Sequence, residues 1–253
     1  MKPILLLSSR PWNTGLAKRL QVQLARSVHT ITTPAALTPA AVAAINPEWI
    51  FVPHWSHFIP ESIWASWATV IFHMTDLPYG RGGSPLQNLI QRGHSSTMVT
   101  ALRCTAELDA GDIYLKEPLS LHGTAEEIFL RADGLIEAMI KRIVREQPTP
   151  QPQQGEATLF QRRKPAQSNL ATCSSGDLSA WADQIRMLDD EGYPHAYLEA
   201  HGMRLEFRRA SRRCDGLYAD VRIVSLDNAP PLHRRRLSYN QLKFFVTAVG
   251  QRW

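Results

Sequence analysis

Val70-Ile-Phe-His-Met-Thr-Asp-Leu-Pro-Tyr-Gly-Arg-Gly-Gly-Ser-Pro85 decides how this chain folds. An apolar run leads into His73, then into a loop stiffened by Pro78 and freed by Gly80, Gly82 and Gly83, then into a proline at a favoured first helical position. The stretch therefore reads as strand, turn and helix. Similar short apolar runs stand at Ile4–Leu7, Trp49–Val52 and Met98–Leu102, each short enough for a strand buried on both faces. Between the runs, Gly15–Ala25, Pro39–Ala44, Pro60–Trp67 and Pro85–Arg92 read as helices. Strand alternating with helix predicts an α/β fold, a Rossmann-like, doubly wound, mostly parallel sheet. Ligands of such sheets sit beyond the carboxyl ends of the strands. His73 falls there, and so does the turn Leu108-Asp-Ala-Gly-Asp112 after the next apolar run. A histidine and Asp109 at one sheet edge form a proton-transfer pair.

A long helix is expected next. Thr124-Ala-Glu-Glu127 is a capping box, and Ile128, Ala132, Leu135, Ile136, Met139, Ile140 and Ile143 recur at helical spacing. Pro148-Thr-Pro-Gln-Pro-Gln-Gln154 ends it in an extended, solvated linker. The expected organisation is a catalytic domain over residues 1–147, a linker over 148–176 and a small C-terminal α+β appendage over 177–253. In that appendage Leu178, Trp181, Ile185 and Leu188 make one face of a short helix that stops before Gly192. Met203, Leu205 and Phe207, then Leu217, Ala219, Val221 and Ile223, alternate as in two half-buried strands. Asp227–Trp253 carries no readable pattern.

Composition narrows the function classes. Apolar residues at 44% and charged residues at 20% of 253 describe a globular chain with a real core. No apolar run approaches the roughly 20 residues that cross a bilayer, so no membrane partner is expected. The opening Met-Lys-Pro-Ile-Leu-Leu-Leu reads as a buried first strand rather than a signal peptide. Cys104, Cys173 and Cys214 are odd in number and lack metal-ligand spacing, which fits a reducing, cytoplasmic setting with no metal. The net charge of +5 gathers in Arg162-Arg163-Lys164, Arg208-Arg209, Arg212-Arg213 and Arg234-Arg235-Arg236. Such clusters steer anions or simply solvate a surface. After the first strand stands Ser8-Ser-Arg-Pro-Trp-Asn-Thr-Gly15, not a glycine-rich fingerprint, which disfavours dinucleotide binding.

His73, Leu77, Pro78, Arg81, Gly82 and Pro85 resemble the motif H-x-x-x-L-P-x-x-R-G-x-x-P of the folate-dependent formyltransferases. Gly93, Thr100 and Asp109-Ala-Gly111 fall where that family places a glycine, a threonine and its catalytic Asp-x-Gly turn. The continuous likeness runs from about Val70 to Lys116, with a weaker one from Ile4 to Ile143. The resemblance implies formyl transfer from N10-formyltetrahydrofolate to an amine. His73 would stabilise the developing oxyanion or shuttle the amine's proton, with Asp109 fixing the imidazole tautomer. The backbone of Leu102, Arg103, Cys104 and on to Leu108 would cradle the pterin, with Trp55 and Phe58 either lining that pocket or packing in the core. The family has Asn-x-His where this chain has Ile71-Phe72-His73. The asparagine's role is then open to Thr75 or to a backbone N–H, and one such donor is typically worth about a hundredfold in rate.

The loop sequence and Phe160-Gln-Arg-Arg-Lys-Pro165 resemble most the sugar N-formyltransferases of pseudaminic-acid-type pathways. That branch implies a nucleotide-linked amino sugar as acceptor, bound by Ser9, Arg10 and Arg81, Arg81 otherwise tying down its own loop. The short path from Val28 to Trp49 and the reduced second unit argue against a nucleic-acid partner. The other readings are formylation of a different small amine or of methionyl-tRNA, and a non-catalytic folate- or nucleotide-sugar-binding homologue. A homodimer stays open.

Overall fold

The computed structural model describes residues 1–9, 14–173, 177–191 and 193–228. These belong to two compact units, Met1–Gly123 with Glu127–Arg163, and Thr124–Glu126 with Lys164–Trp253. Arg10 and the Arg234–Arg236 triplet lie outside the described residues.

The chain begins β1 (Ile4–Ser8), α1 (Thr14–Leu24), β2 (Val28–Ile31), α2 (Pro39–Ile45), β3 (Trp49–His54), α3 (Glu61–Trp64) and β4 (Thr69–His73). It continues β5 (Arg81–Gly82), α4 (Pro85–Gln91), β6 (Ser96–Arg103), β7 (Ile113–Ser120), α5 (Ala125–Glu146) and β8 (Leu159–Phe160). The central sheet has the order β2-β1-β3-β4-β6-β7. Its first four strands are parallel, and β6 and β7 run antiparallel. The expected α/β class and mostly parallel sheet hold, with one correction. The Met98–Leu102 run was expected to be parallel, yet β6 pairs β4 in the opposite sense, with His73 opposite Thr100. Burial on both faces makes a strand apolar whichever way it runs, so the pattern carries no direction.

Buried Leu5, Leu7, Ile50, Val52 and Ile63 form one core cluster with Ile31, Leu37 and Val42. Trp55 and Ile71 pack against its edge. The hydroxyl of Thr38 accepts from Ala41 N–H at 3.1 Å and starts α2 beside Pro39. Helix α5 buries Ile128, Ala132, Ile136, Met139, Ile140 and Ile143 along one stripe.

The segment expected as a solvated linker from residue 148 is mostly exposed over 151–159 but is not free of neighbouring strands. Ile113 and Gln151 exchange two backbone hydrogen bonds of 2.7 and 2.9 Å, and β8 pairs parallel with β5. The segment is extended and mostly exposed, yet its backbone N–H and C=O groups also pair with neighbouring strands.

The second unit holds α6 (Leu178–Arg186) and a three-stranded antiparallel sheet of β9 (Ala196–Ala200), β10 (Met203–Arg213) and β11 (Gly216–Ser225), in the order β11-β10-β9. Met203, Val221 and Ile223 are exposed, whereas Arg204 is buried on Glu199 and over the Tyr197 ring. The alternation has the expected period, but period alone does not say which face is covered. No helix among the described residues is long and apolar enough to cross a membrane.

Candidate active site

His73 closes β4 at the carboxyl edge of the sheet, and Asp109 enters from the turn between β6 and β7. Their side chains are 8% and 10% exposed, and His73 Nδ1 stands 3.5 Å from Asp109 Oδ2. His73 Nε2 lies 2.8 Å from the Gly80 carbonyl oxygen. A carbonyl only accepts, so Nε2 carries a proton and Nδ1 is the nitrogen able to gain one. With that proton the ring is an imidazolium facing a carboxylate. Without it, a lone pair faces the carboxylate. The geometry leaves Nδ1, beside the carboxylate, as the ring nitrogen that can take up a proton.

The loop after β4 is shaped for this. Gly80 has φ +76°, and a Cβ there would sit 2.8 Å from the Thr75 methyl. Gly82 has φ +107°, and its N–H donates to Asp109 Oδ2 at 2.9 Å. One carboxylate oxygen thus meets both the loop and the imidazole. Asp109 itself is left-handed, with φ +52°. A Cβ on Gly111 would stand 1.9 Å from the Arg103 carbonyl oxygen, so that turn closes only around glycine.

The structure brings His73, Asp109 and Thr75 together. Thr75 is fully buried and points its hydroxyl at the Gly80 carbonyl, at 3.4 Å, while its own carbonyl accepts from Thr100 Oγ1 at 2.7 Å. Ile71 packs into the apolar cluster, on the same strand face as His73. Ser9 is exposed at the end of β1, its N–H 3.2 Å from the His54 carbonyl.

The residues expected around a pterin differ widely. Leu102 is buried, with ladder partners Ile71 and Ile113. Arg103 is exposed, its N–H bonded to the Asp112 carbonyl. Cys104 is buried, and burial followed by the charge of Asp109 pushes its thiol up to about 11. Leu108 is 57% exposed beside Asp109. Trp55 is half-buried, its indole N–H without an acceptor among the described residues. Phe58 is 91% exposed and lines no core.

Arg81 ties loops together, the second of its two expected roles. Its Nε and Nη2 reach Gln153 Oε1 at 3.2 and 2.9 Å, and its Nη1 reaches Glu107 at 3.0 Å. Sequence reasoning missed Gln153, whose Nε2 donates to the carbonyls of Asp109 and Gly111 at 2.8 and 2.9 Å. It also missed His54, whose Nε2 lies 2.6 Å from Asp133 at the end of β3. The signal at Gln153 was slight: one amide among several in a proline-rich run. Among the described residues no cluster of three His, Cys, Asp or Glu could hold a metal ion.

Residues 165–224 match the model of the methionyl-tRNA formyltransferase C-terminal domain. A solved methionyl-tRNA formyltransferase from Clostridium thermocellum is 45% identical with a TM-score of 0.85, over 89% of this chain and 100% of that one. The chain belongs to the formyltransferase family, whose formyl donor is N10-formyltetrahydrofolate. The methionyl-tRNA formyltransferase of Lactobacillus delbrueckii subsp. bulgaricus is 29% identical over 81% of this chain. This chain spans 63% of that relative's length. A sugar N-formyltransferase from a Shewanella species shares 17% identity, with a TM-score of 0.66 over 84% of this chain and 99% of that one, and so shares the fold alone.

These findings overturn the amino-sugar assignment and its nucleotide-sugar partner. The loop likeness that pointed to a sugar branch lies in the motif shared by the whole family, which reports the transfer chemistry and not the acceptor. The small second unit does not count against RNA either, because this chain covers the whole of the Clostridium structure and its second unit matches the C-terminal-domain model.

Proposed function

We propose that this chain formylates the α-amino group of methionyl-tRNA, with N10-formyltetrahydrofolate as donor. The observation that carries the reading is the His73–Asp109 pair in a chain that matches all of the Clostridium methionyl-tRNA formyltransferase structure over 89% of its own length.

The donor supplies an electrophilic formyl carbon. Exposed Leu108, next to Asp109, offers apolar surface that the face of the folate's ring would cover. The neutral amine attacks that carbon and must then lose a proton. His73 Nδ1 accepts it, Asp109 stabilises the imidazolium, and the Gly80 carbonyl holds the ring in place through Nε2–H. The proton then passes to the folate nitrogen as its bond to the formyl carbon breaks and the tetrahedral oxyanion re-forms the carbonyl of the product formamide.

The second unit supports an RNA acceptor. Arg212 and Arg213 are exposed at the end of β10, with Arg213 5.4 Å over the exposed Tyr218 ring, while exposed Arg209 and Arg222 pair with Asp220 and Glu206. Cations beside an aromatic face suit phosphates and a stacked base. The test incubates the chain with N10-formyltetrahydrofolate and methionyl-tRNA, free methionine or a panel of amino-sugar nucleotides, read by mass spectrometry. Formyl-methionyl-tRNA as the main product, with binding that weakens steeply with salt, is expected. Formylation of the small amines with methionyl-tRNA untouched overturns the reading.

A further inference from the structure

Gln153 joins Arg81, on the loop after His73, to the backbone of the Asp109 turn. Its oxygen accepts from Arg81, which donates and cannot accept, and its nitrogen donates to two carbonyls, which accept and cannot donate. Only an amide fits that position, and in only one orientation. Arg81 immediately precedes Gly82, whose N–H holds the Asp109 carboxylate. The Asp109 turn itself is gripped by Gly82 at the carboxylate and by Gln153 at the backbone carbonyls of Asp109 and Gly111, while Arg81 also reaches Glu107 just before it. That double grip explains how a non-glycine residue keeps φ +52° beside the histidine. The segment carrying Gln153 is itself in register. Gln151 is bonded to Ile113 two residues before it, and after it Thr158 N–H donates to the Pro78 carbonyl at 3.2 Å while Arg81 N–H donates to the Thr158 carbonyl at 2.9 Å.

We propose that Gln153 is a positioning residue, which sets the reach of the Asp109 carboxylate to His73 Nδ1 by clamping the Asp109–Gly111 turn to Arg81. The inference rests on the formyl-transfer reading for its kinetic test but not for its spectroscopic one. It also gives the proline-rich segment after α5 a job in the active site.

Two substitutions and one control test it in the full chain. Gln153→Ala removes all four hydrogen bonds. Gln153→Glu keeps an acceptor for Arg81 and sets a carboxylate against the two carbonyls. Gln151→Ala alters the same segment while leaving its backbone bonds to Ile113 in place. Both Gln153 variants are expected to lower kcat about 10- to 100-fold, as a sub-ångström to 1 Å misplacement of a catalytic group does, with KM for the folate and for methionyl-tRNA within about threefold. Gln151→Ala should match the unaltered chain. The His73 ring-nitrogen resonances, recorded with 15N-labelled histidine, should move in both Gln153 variants and stay fixed in Gln151→Ala. That readout stands even if the unaltered chain transfers no formyl group, so the failure of one proposal is distinguishable from failure of the other. If Gln153→Ala does not fold, Gln153→Glu decides, since Arg81 keeps its partner. Unmoved His73 resonances with kcat within twofold in Gln153→Glu overturn the proposal. So does a change of equal size in Gln151→Ala.

Discussion

Asp109→Asn is the most direct trial of the proton-transfer pair, because it removes a charge and almost nothing else. The amide oxygen of asparagine can take the place of Oδ2, accept from Gly82 N–H as the carboxylate does, and keep the turn closed. What disappears is the attraction between carboxylate and imidazolium. Two unit charges 3.5 Å apart attract by about 4.7 kcal/mol at an effective dielectric near 20, equivalent at most to roughly 3,000-fold in rate. Competing solvation trims this, so a loss of about 100- to 1,000-fold in kcat is expected, with KM for the folate within about threefold. The assay is steady-state formyl transfer to methionyl-tRNA, with product quantified by mass spectrometry and folding checked by thermal unfolding. The same measurement on His73→Ala and on the double variant completes a cycle. Groups that act as one unit lose their function once, so the double variant should be no slower than His73→Ala. A well-folded Asp109→Asn chain with kcat within tenfold of the unaltered one would refute the reasoning, as would losses that multiply in the double variant.

Ile71→Asn restores the family's asparagine, and the sequence taken alone predicts an equal or faster enzyme. The structure predicts otherwise. The side chain at 71 packs against an apolar cluster, so an unpaired amide there should cost about 1–3 kcal/mol, several degrees of melting temperature, with no gain in kcat. A faster enzyme with unchanged melting would show that an asparagine still has a place to point. Gly111→Ala puts a methyl 1.9 Å from the Arg103 carbonyl oxygen, so the turn must open and move Asp109. Activity should fall at least tenfold, and an alanine variant of full activity would count against a rigid turn. For Cys104, the rise from 9.0 to about 11 cuts the thiolate fraction at pH 8 by roughly 100-fold. A thiol reagent at pH 8 should therefore label exposed Cys214 and spare Cys104 until the chain unfolds. Because the unfolded thiol ionises first, the stability that Cys104 contributes over Cys104→Ala is full below pH 9 and is lost as pH climbs towards 11. A constant stability difference from pH 8 to 10.5 would contradict the sign.

Some elements were legible because a strong local signal coincided with what the fold required. Ile4–Leu7, Trp49–Val52 and Val70–Phe72 are unbroken apolar runs and became β1, β3 and β4. Proline marked the start of α2, and a clean apolar stripe marked α5. β2 and β7 were missed because Val28-His-Thr-Ile31 and Ile113–Ser120 mix polar with apolar residues, as half-covered strands do. Helix α3 is shorter than Pro60–Trp67 predicted, for Pro60 caps it and the helix ends at Trp64. Arg81, given two roles by sequence, proved to be spent on Gln153 and Glu107.

Residue types and their spacing were enough to name the α/β class and to place His73 and Asp109 at one sheet edge, and the resemblance of that motif to a known family implied formyl transfer. Each of those is written in a single stretch of chain or in a motif of short reach. The direction of β6, the packing of half-buried Ile71 against an apolar cluster and the pairing of residues 151–160 with the loop after His73 emerged only on folding. They depend on which distant backbone groups and side chains come to lie opposite one another, and a hydrogen bond such as that from Gln153 to Asp109 leaves no mark on the local pattern at either end.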